Sequence, residues 1–344
     1  RHSNMRAALI GLGMVSHTYG QAIRNSEKVT LSTVFAPSED SRQDFTTDFV
    51  DVCDSYAHSL DEIASNPDID FVILATPPNA RIEVVQMMAE AGKPILMEKP
   101  VERTLKSATA IVEYCEAKGV PLGIMLQHRA RPVVGQLIET LDTLGDVIAA
   151  EITVPWWRPQ SYYDENGRGT YIRDGGGVMI SQAIHTLDLM LALTGPVQEV
   201  TAMCATTGFH DMEGEDFVTA GLKFENGAVG NLFATTASFP GQGETITLHC
   251  KEGSAHLAAG QLNVSWHDGR QEQLGEAADS GAGADPMAFT SDWHQTVIED
   301  FADAIGENRE PLIPGRAALD VHKLISAIEQ AGRDGERVYI KEFP

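Results

Sequence analysis

The chain has 344 residues, of which 43% are hydrophobic and 22% charged, and its formal net charge is −24. Nucleic acids and anionic membranes select basic surfaces, so this charge argues against both as partners, although a local basic pocket could still bind an anionic small molecule. No apolar run approaches the roughly 20 residues that span a bilayer, so a soluble globular protein is expected.

The length predicts two domains, because it exceeds what one hydrophobic core usually holds. Met5 is the expected natural first residue, and no signal peptide precedes it. The cysteines form no CxxC pair, which favours buried free thiols in a reducing, cytoplasmic compartment over disulfides. No metal is expected, because no group of potential ligands has usable spacing.

A strand over residues 6–10 opens the chain and leads into a glycine turn, Gly11-Leu12-Gly13-Met14-Val15-Ser16. A strand ending in Gly-x-Gly before a helix is typical of dinucleotide binding, because glycines let backbone amides approach a pyrophosphate. Ser16 stands where a third glycine is usual, and an ordinary strand-to-helix turn is the alternative. The predicted cofactor contacts here are Gly11, Gly13, Met14 and Val15.

The second predicted strand, residues 29–35, ends where a ribose-binding carboxylate is expected in an NAD site. Ala36 occupies that position instead. Ser38 and Arg42 could hold a 2′-phosphate, because the planar fork of arginine suits phosphate oxygens. The pattern favours NADP over NAD. The alternatives are that Glu39 turns in to serve NAD, or that Arg42 is simply solvated.

A short strand is predicted around residues 51–53 and a helix near 60–63. An apolar strand over 71–75 then leads into Thr76-Pro77-Pro78-Asn79, and a helix from 82 ends before Gly92. The next strand, 94–97, delivers Glu98-Lys99-Pro100 to the carboxyl edge of a parallel sheet, where such sheets place their chemistry. The further predicted cofactor contacts are Thr76, Pro77, Asn79, Glu98 and Lys99.

Lys99 is the first candidate for catalysis. Pro100 fixes the backbone behind it, so that its flexible amine can point into a crevice. An ordinary surface lysine is the alternative. A helix over 105–118 and a strand over 121–124 then complete a doubly wound parallel sheet, which sets the predicted domains at 5–126 and 127–344.

The second predicted domain opens on Gln127-His128-Arg129, whose side chains are expected to face the crevice. A helix from 132 to 141 and a strand from 147 to 154 precede an aromatic, cationic loop over 155–163. A loop of this length is usually functional or disordered, and its aromatic content disfavours disorder. It is predicted to form part of a substrate wall, with a packed loop or a dimer contact as the alternatives.

Three glycines, 175–177, precede an apolar helix over 178–193. Its Ser181, Gln182, His185 and Asp188 fall on one polar stripe. Asp188 could fix the tautomer of His185, whose other nitrogen would face the substrate, or could simply satisfy a core histidine. The predicted substrate contacts are Gln127, Arg129, Trp157, Arg158, Tyr163, Arg168, Arg173, Asp174, Gln182 and His185.

The remaining chain is predicted to be scaffold. Strand-like runs cover 197–204, 217–224, 228–235, 245–250, 255–258 and 262–267, and helices cover 293–305 and 315–330. The run from 275 to 286 is low in complexity and is predicted to be a mobile loop.

The motifs together resemble the Gfo/Idh/MocA oxidoreductase family over the whole chain. They are Gly-x-Gly after the first strand, Thr76-Pro77-Pro78, Glu98-Lys99-Pro100, and Asp174-Gly175-Gly176-Gly177 followed by His185-Thr186-Leu187-Asp188. The resemblance implies an α/β Rossmann domain followed by an α+β domain with a large, mostly antiparallel open sheet. It also implies homodimers or homotetramers, and NAD(P)-dependent oxidation or reduction of a sugar, a polyol or a sugar derivative.

A finer resemblance links the loop region to nucleotide-sugar-acid 3-dehydrogenases. It rests on Trp157-Arg158, Tyr162-Tyr163, Arg168-Gly169-Thr170 and Asp174. The catalytic residues that the family resemblance implies are Lys99 and His185, with Ser181 where the family often has aspartate.

The predicted chemistry is hydride transfer between a nicotinamide and a carbinol carbon, with a proton acceptor supplied by the protein. Free lysine has a pKa of about 10.4 and would need depression toward roughly 7–8 to act as a base near neutrality. A cationic nicotinamide and desolvation both act in that direction. Two alternatives stay open: a non-catalytic dinucleotide-binding sensor, and a glycosidase that recycles bound NAD as a redox catalyst.

Overall fold

The computed structural model describes residues 4–278, 281–283, 285–287 and 289–343. The chain divides into two compact units, the first formed by residues 1–130 and 290–319 and the second by 131–289 and 320–344. Part of the loop predicted over 275–286 (residues 279, 280 and 284) lies outside the described residues, as do residues 1–3, which precede the expected start at Met5.

The strands of the first unit are short and mostly apolar. They are β1 (Met5–Ile10), β2 (Val29–Phe35), β3 (Phe71–Leu74), β4 (Ile95–Glu98) and β5 (Leu122–Met125), all parallel in the order β2-β1-β3-β4-β5. Every residue of β3, β4 and β5 is buried, as expected for parallel strands covered on both faces. The connecting helices are α1 (Ser16–Asn25), α2 (Glu39–Asp48), α3 (Leu60–Ser65), α4 (Ile82–Glu90) and α5 (Leu105–Ala117).

The second unit is built on a nine-stranded sheet. Its chain begins with α6 (Pro132–Leu144), β6 (Val147–Pro155), α7 (Gln160–Tyr163), a π-helical turn (Met179–Ala183) and α8 (Ile184–Thr194). The strands that follow are β7 (Val197–Ala205), β8 (Phe217–Phe224), β9 (Val229–Thr235), β10 (Thr245–Cys250), β11 (Gly253–Ala258), β12 (Gln261–Trp266) and β13 (Gln271–Gly275). The last elements of the chain are α9 (Asp292–Glu307), α10 (Gly315–Asp334) and β14 (Val338–Tyr339).

The nine strands lie in the order β13-β12-β11-β10-β6-β9-β8-β7-β14, and all neighbours are antiparallel except β6 and β9. Burial alternates along β8 and β10, so one face of the sheet is covered and the other is more open. The predicted fold class, a Rossmann domain followed by an α+β domain with a large, mostly antiparallel sheet, is confirmed.

Helix α9 belongs to the first unit, whereas the division predicted at residues 126 and 127 assigns it to the second. The Phe301 ring of α9 lies 5.4 Å from the Phe71 ring of β3. Gly123 of β5 makes room for it, since a Cβ there would come within 2.8 Å of the Phe301 ring. A buried aromatic contact distant in sequence therefore decides where α9 packs.

The strand predicted around residues 51–53 is wrong. The amides of Val52 and Cys53 both donate to the Phe49 carbonyl at 2.8 Å, which closes a turn after α2 and removes these donors from any strand pairing. The edge of the sheet instead receives an isolated bridge from Tyr56 to Val34. Of the helices in the described part of the chain, none combines the length and the apolar character needed to cross a membrane.

Candidate active site

The turn after β1 contains two glycines with different surroundings. Gly11 has φ of +101°, and a Cβ there would lie 2.6 Å from the Ala75 carbonyl carbon and 2.7 Å from the Thr76 nitrogen. Only glycine fits this backbone position, which packs against the end of β3. A Cβ on Gly13 would meet nothing within 4 Å, so this glycine faces open space.

Ser16, which replaces the usual third glycine, closes the same turn. Its side chain is buried, and its hydroxyl donates to the Gly13 carbonyl at 2.7 Å. Val15, the N-cap of α1, makes no side-chain hydrogen bond to the first turn of the helix. The backbone donors of this helix end are therefore not capped by that side chain, an arrangement that suits a diphosphate beside Gly13.

The end of β2 brings Arg42 next to Ser38. The Arg42 guanidinium donates to the Pro37, Ser38 and Ala57 carbonyls at 3.3–3.5 Å, and it lies over the rings of Phe35 and Tyr56. The Ser38 hydroxyl accepts the Ser41 amide at 3.3 Å as the N-cap of α2, which leaves its own proton available to donate.

Position 36, where an NAD site usually carries the carboxylate that binds the ribose, is occupied by alanine, and this Ala36 is buried. The alternative acid, Glu39, accepts a hydrogen bond from the Tyr56 hydroxyl at 3.3 Å. The end of β2 therefore presents a serine hydroxyl and a guanidinium, while Glu39 is engaged by a neighbouring tyrosine.

The ends of β3 and β4 are joined by Arg81, a buried residue that the sequence did not single out. Its Nε and Nη2 donate to the Thr76 carbonyl at 3.1 and 2.6 Å, and its Nη1 donates to the Glu98 carbonyl at 2.6 Å and to the Pro100 carbonyl. Burial lowers the pKa of Arg81 to about 10. Thr76 is half-buried beside this guanidinium, and Pro77 and Asn79 are exposed.

Glu98 and Lys99 follow each other but have different surroundings. The Glu98 carboxylate is buried and accepts the Tyr19 hydroxyl at 2.7 Å, with His294 Nε2 4.0 Å away. Burial raises the pKa values of Glu98 and Tyr19 and lowers that of His294 to about 3, so His294 is neutral at pH 7. Lys99 is half-buried. The Glu98 side chain thus points into an internal network, and its neighbour Lys99 is more open.

The turn after β5 carries two predicted substrate contacts, Gln127 and Arg129. Both lie in the first unit, although the predicted division had assigned them to the second domain. Gln127 is buried, and its Oε1 has no hydrogen-bond partner among the described residues. Arg129 is half-buried.

In the second unit, the helix that carries His185 is anchored at its start by Glu215. The Glu215 carboxylate accepts the Gly177 and Met179 amides at 3.1 and 3.2 Å, and its carbonyl accepts the Val178 amide at 2.8 Å. A Cβ on Gly177 would overlap the Glu215 backbone, which explains a glycine at that position. His185 and Asp188 are both buried in α8. The π-helical turn before α8 adds to the number of residues per turn. The directions of Ser181 and Gln182 relative to His185 and Asp188 therefore differ from those in the regular helix on which the predicted polar stripe was based.

The loop after β6 gathers polar side chains around Tyr162. The Tyr162 oxygen accepts hydrogen bonds from Arg168 Nη1 at 3.0 Å and from Gln182 Nε2 at 3.2 Å. Arg158 is buried, with its Cζ 5.5 Å from the Tyr162 ring centre. Its Nη1 donates to the Trp157 and Gly283 carbonyls, and its Nε has no hydrogen-bond partner among the described residues.

The three predicted arginines of this loop are not equivalent. Arg168 forms an ion pair with Glu165, and Arg173 Nη2 lies 3.7 Å from the same carboxylate. Within the described ranges, Arg158 forms no such pair. Burial lowers its pKa, and its stacking on Trp156 and Tyr162 offsets part of the desolvation.

Three other predicted contacts are engaged inside the unit. Tyr163 is buried, and its hydroxyl lies 2.7 Å from Thr236 Oγ1. Asp174 accepts the Gly169 amide at 2.9 Å, which closes the loop before the three glycines. The Trp157 ring lies against Phe209 and Phe239, two exposed aromatic residues.

Sequence reasoning also missed His210. Its Nδ1 lies 2.7 Å from Asp216 and its Nε2 2.6 Å from the Arg158 carbonyl oxygen, so it holds the backbone of that arginine. The sequence could not reveal these contacts, because the partners are far apart in the chain. Glu215 meets the amides of Gly177 and Met179, and Asp216 reaches the Arg158 backbone through His210.

A parallel sheet whose first strand ends in an open glycine turn is typical of a dinucleotide-binding domain, and here a large, mostly antiparallel sheet follows it in the same chain. Residues 5–126 match the family described as "Oxidoreductase family, NAD-binding Rossmann fold", and residues 136–256 match the "GFO/IDH/MocA C-terminal domain". The chain therefore belongs to the Gfo/Idh/MocA oxidoreductase family, and the predicted family membership is confirmed.

Among its relatives, D-apiose dehydrogenase of Paraburkholderia graminis is 26% identical over 298 residues, which are 81% of this chain and 75% of that protein. Levoglucosan dehydrogenase of Pseudarthrobacter phenanthrenivorans is 27% identical over 302 residues, covering 78% and 74%. A similar solved structure is the WlbA dehydrogenase of Bordetella pertussis in complex with NADH and UDP-GlcNAcA. It has a TM-score of 0.81 and 25% identity, and the match covers 98% of this chain and 99% of that one.

Proposed function

We propose that the protein is an NAD(P)-dependent dehydrogenase or reductase of a sugar, a polyol or a sugar acid. One observation carries the proposal. Thr76 lies against Gly11 of the dinucleotide turn, and Arg81 joins the Thr76 carbonyl to the carbonyls on both sides of Lys99. A lysine is thereby fixed at the same sheet edge as the turn that suits a diphosphate.

The residues present fit a nicotinamide dinucleotide, because Gly13 is open and the first turn of α1 lacks a side-chain cap from Val15. In this proposal the diphosphate binds Gly11, Gly13, Met14 and Val15, and Thr76, Pro77, Asn79 and Lys99 line the remainder of the cofactor site. Glu98, the further predicted contact, has its carboxylate on Tyr19 and its carbonyl on Arg81, so it supports this site from inside. The cofactor supplies or accepts the hydride.

NADP is the preferred cofactor in this proposal. Ala36 brings no carboxylate to the ribose, while Ser38 and Arg42 stand together at the end of β2. A guanidinium held on three carbonyls and two rings is already ordered, so less side-chain entropy is lost when it binds a phosphate.

Lys99 and His185 are the proposed acid and base groups. During oxidation of an alcohol, one of them takes the hydroxyl proton, and the same group returns it during reduction. Lys99 is half-buried and directly follows β4, whose end carries the buried Glu98 carboxylate. His185 is buried in α8, and imidazole is the side chain most often used for proton transfer near neutral pH.

The proposed substrate is carbohydrate-like, in keeping with the sugars named for the relatives. Trp157, Tyr162 and the guanidinium groups supply aromatic faces for C–H groups and donors for hydroxyl or carboxylate oxygens. Arg158 is the guanidinium best suited to a substrate oxygen, because Arg168 is already engaged by Glu165 and the Arg158 Nε lacks a partner in the described chain. Gln182, with its Oε1 also lacking one there, could accept a substrate hydroxyl.

A homodimer or homotetramer is also proposed. The more open face of the nine-stranded sheet carries Phe217 and Phe233, whose rings are 5.3 Å apart, together with the exposed Met203. A second copy of the chain would cover this apolar surface. The described cysteines are all free thiols, which fits the proposed cytoplasmic location.

The test is a cofactor-linked screen of aldoses, polyols and sugar acids with both NAD and NADP, followed by absorbance at 340 nm. The proposal expects net cofactor reduction or oxidation with at least one substrate class. Tight cofactor binding without turnover would indicate a sensor. Glycoside cleavage without net NADH formation would indicate a recycled cofactor.

A further inference from the structure

Two buried cations lie at opposite ends of the β3–β4 pair and donate to backbone carbonyls there. At the amino end, Lys93 Nζ donates to the Asn66 and Ile69 carbonyls at 2.7 and 3.0 Å. At the carboxyl end, Arg81 donates to the Thr76, Glu98 and Pro100 carbonyls. Both side chains are buried, so both sets of contacts replace water on carbonyl oxygens.

The carboxyl end differs because backbone pairing stops before Lys99. The paired residues of β3 and β4 end with Leu74 and Met97. Beyond that point, the Arg81 side chain supplies hydrogen bonds in place of strand pairing. It donates to the carbonyls of Glu98 and Pro100, the residues on either side of Lys99. It also engages the Thr76 carbonyl, next to the glycine turn.

Arginine suits this task for a geometric reason. Its planar guanidinium carries five N–H donors in a fixed fork, so one side chain can serve three carbonyls that point from different directions. A lysine has three donors on a single atom and cannot span the same separation. The position also excludes water, since Arg81 is 2% exposed.

We propose that Arg81 is the positioning residue for Lys99, because it fixes the backbone on both sides of that residue against the end of β3. This inference rests on the proposed function, in which Lys99 acts on the reacting hydroxyl. Arg81 itself is buried and holds backbone carbonyls, so it acts through Lys99 rather than on the substrate.

The test compares Arg81→Met with Lys93→Met in the cofactor-free, full-length protein. Each variant removes a buried cation from backbone carbonyls at one end of the same strand pair, so both are expected to unfold at a lower temperature. Lysine amines are reductively methylated with ¹³C-formaldehyde, and the Lys99 signal in the NMR spectrum is assigned by its loss in Lys99→Arg. Hydrogen exchange by mass spectrometry is followed in the same samples.

The proposal expects Arg81→Met to shift or broaden the Lys99 signal and to raise exchange by at least about tenfold over residues 96–104. Lys93→Met should leave the Lys99 signal and the exchange over residues 96–104 unchanged, and it should raise hydrogen exchange near residues 66–70. Arg81→Lys should restore the signal in part. If Arg81→Met and Lys93→Met leave the Lys99 signal equally unperturbed, the proposal is overturned.

Should Arg81→Met not fold, Arg81→Lys alone decides, since it retains the charge but not the fork. A wild-type Lys99 signal in that variant would overturn the proposal. The measurement needs neither cofactor nor substrate, so it can fail while the proposed function stands. Conversely, normal turnover in Lys99→Ala would reject the catalytic role of Lys99 without altering this result.

Discussion

The two glycines of the first turn give the sharpest test of the dinucleotide site. Gly11 and Gly13 are two residues apart, yet their surroundings differ, because Gly11 packs against Ala75 and Thr76 and Gly13 faces open space. Replacing each by alanine adds one methyl group in each case. The first replacement should damage the fold, and the second should damage cofactor binding.

The magnitude for Gly11→Ala follows from its backbone and its neighbours. A non-glycine residue at positive φ costs about 1–2 kcal/mol. The added Cβ would also lie 2.6–2.8 Å from backbone atoms of Ala75 and Thr76, which must then move. We expect a loss of about 3 kcal/mol in the free energy of unfolding, or roughly 6–12 °C in Tm for a domain of this size.

Gly13→Ala should behave in the opposite way. The φ of Gly13 lies outside the left-handed region, and a Cβ there meets nothing within 4 Å. Alanine should leave the free energy of unfolding unchanged or raise it by about 0.4–1 kcal/mol, because it lowers the conformational entropy of the unfolded chain. The methyl group would occupy the space that backbone amides need to approach a diphosphate, so NADPH affinity should fall at least about tenfold, which is about 1.4 kcal/mol.

Both variants are measured by thermal unfolding without cofactor and by NADPH fluorescence titration. The reasoning is refuted if Gly13→Ala binds NADPH as tightly as the wild type, or if Gly11→Ala is as stable as the wild type. Gly92 serves as the matched control, because it also has positive φ but a Cβ added there would meet nothing within 4 Å. Gly92→Ala should lower the free energy of unfolding only by the cost of a non-glycine residue at positive φ, about 1–2 kcal/mol.

Two further predictions concern cofactor choice and pH. Arg42→Ala should weaken NADPH binding by about 10–100-fold and leave NADH within about threefold, because the guanidinium would contact only the 2′-phosphate; equal losses for both cofactors would contradict this assignment. Burial raises the pKa of Glu329 to about 8 from 4.5, so the native state holds the extra proton between these values and loses stability as pH rises through that window. Glu329→Gln, which stays neutral, should therefore exceed the wild type in Tm at pH 9 by the equivalent of about 2–4 kcal/mol and match it at pH 4.5. A difference in Tm that is independent of pH would exclude this account.

The fold of the first unit could be predicted because its strands are continuous apolar runs separated by glycine and proline. The predicted bounds of β2 match the structure, and those of β1, β3, β4 and β5 fall within one residue at each end. The segment 51–53 failed because its amides close a turn after α2, which no local pattern revealed. Strand β13 was missed because its Gln-Glu-Gln sequence lacks an apolar face.

Sequence reasoning could single out a candidate site residue only where the surroundings of that residue are local. Gly11 and Lys99 directly follow short apolar strands, whereas Arg81 donates to the carbonyl of Thr76, beyond β3, and to that of Glu98, at the end of β4. The predicted substrate contact is Tyr163, but its hydroxyl is engaged by Thr236, and Tyr162 is the residue that Arg168 and Gln182 meet. Such choices depend on side-chain direction, which adjacent residues in a sequence do not reveal.

The central claim is that Lys99 supports hydride transfer to or from a carbohydrate-like substrate. The most direct measurement is the turnover of the wild type and of Lys99→Ala on the substrate that the cofactor-linked screen identifies, at saturating cofactor. The account predicts that kcat falls by about 10²–10⁴-fold while cofactor affinity stays within a few fold. Turnover of Lys99→Ala within about threefold of the wild type would contradict it.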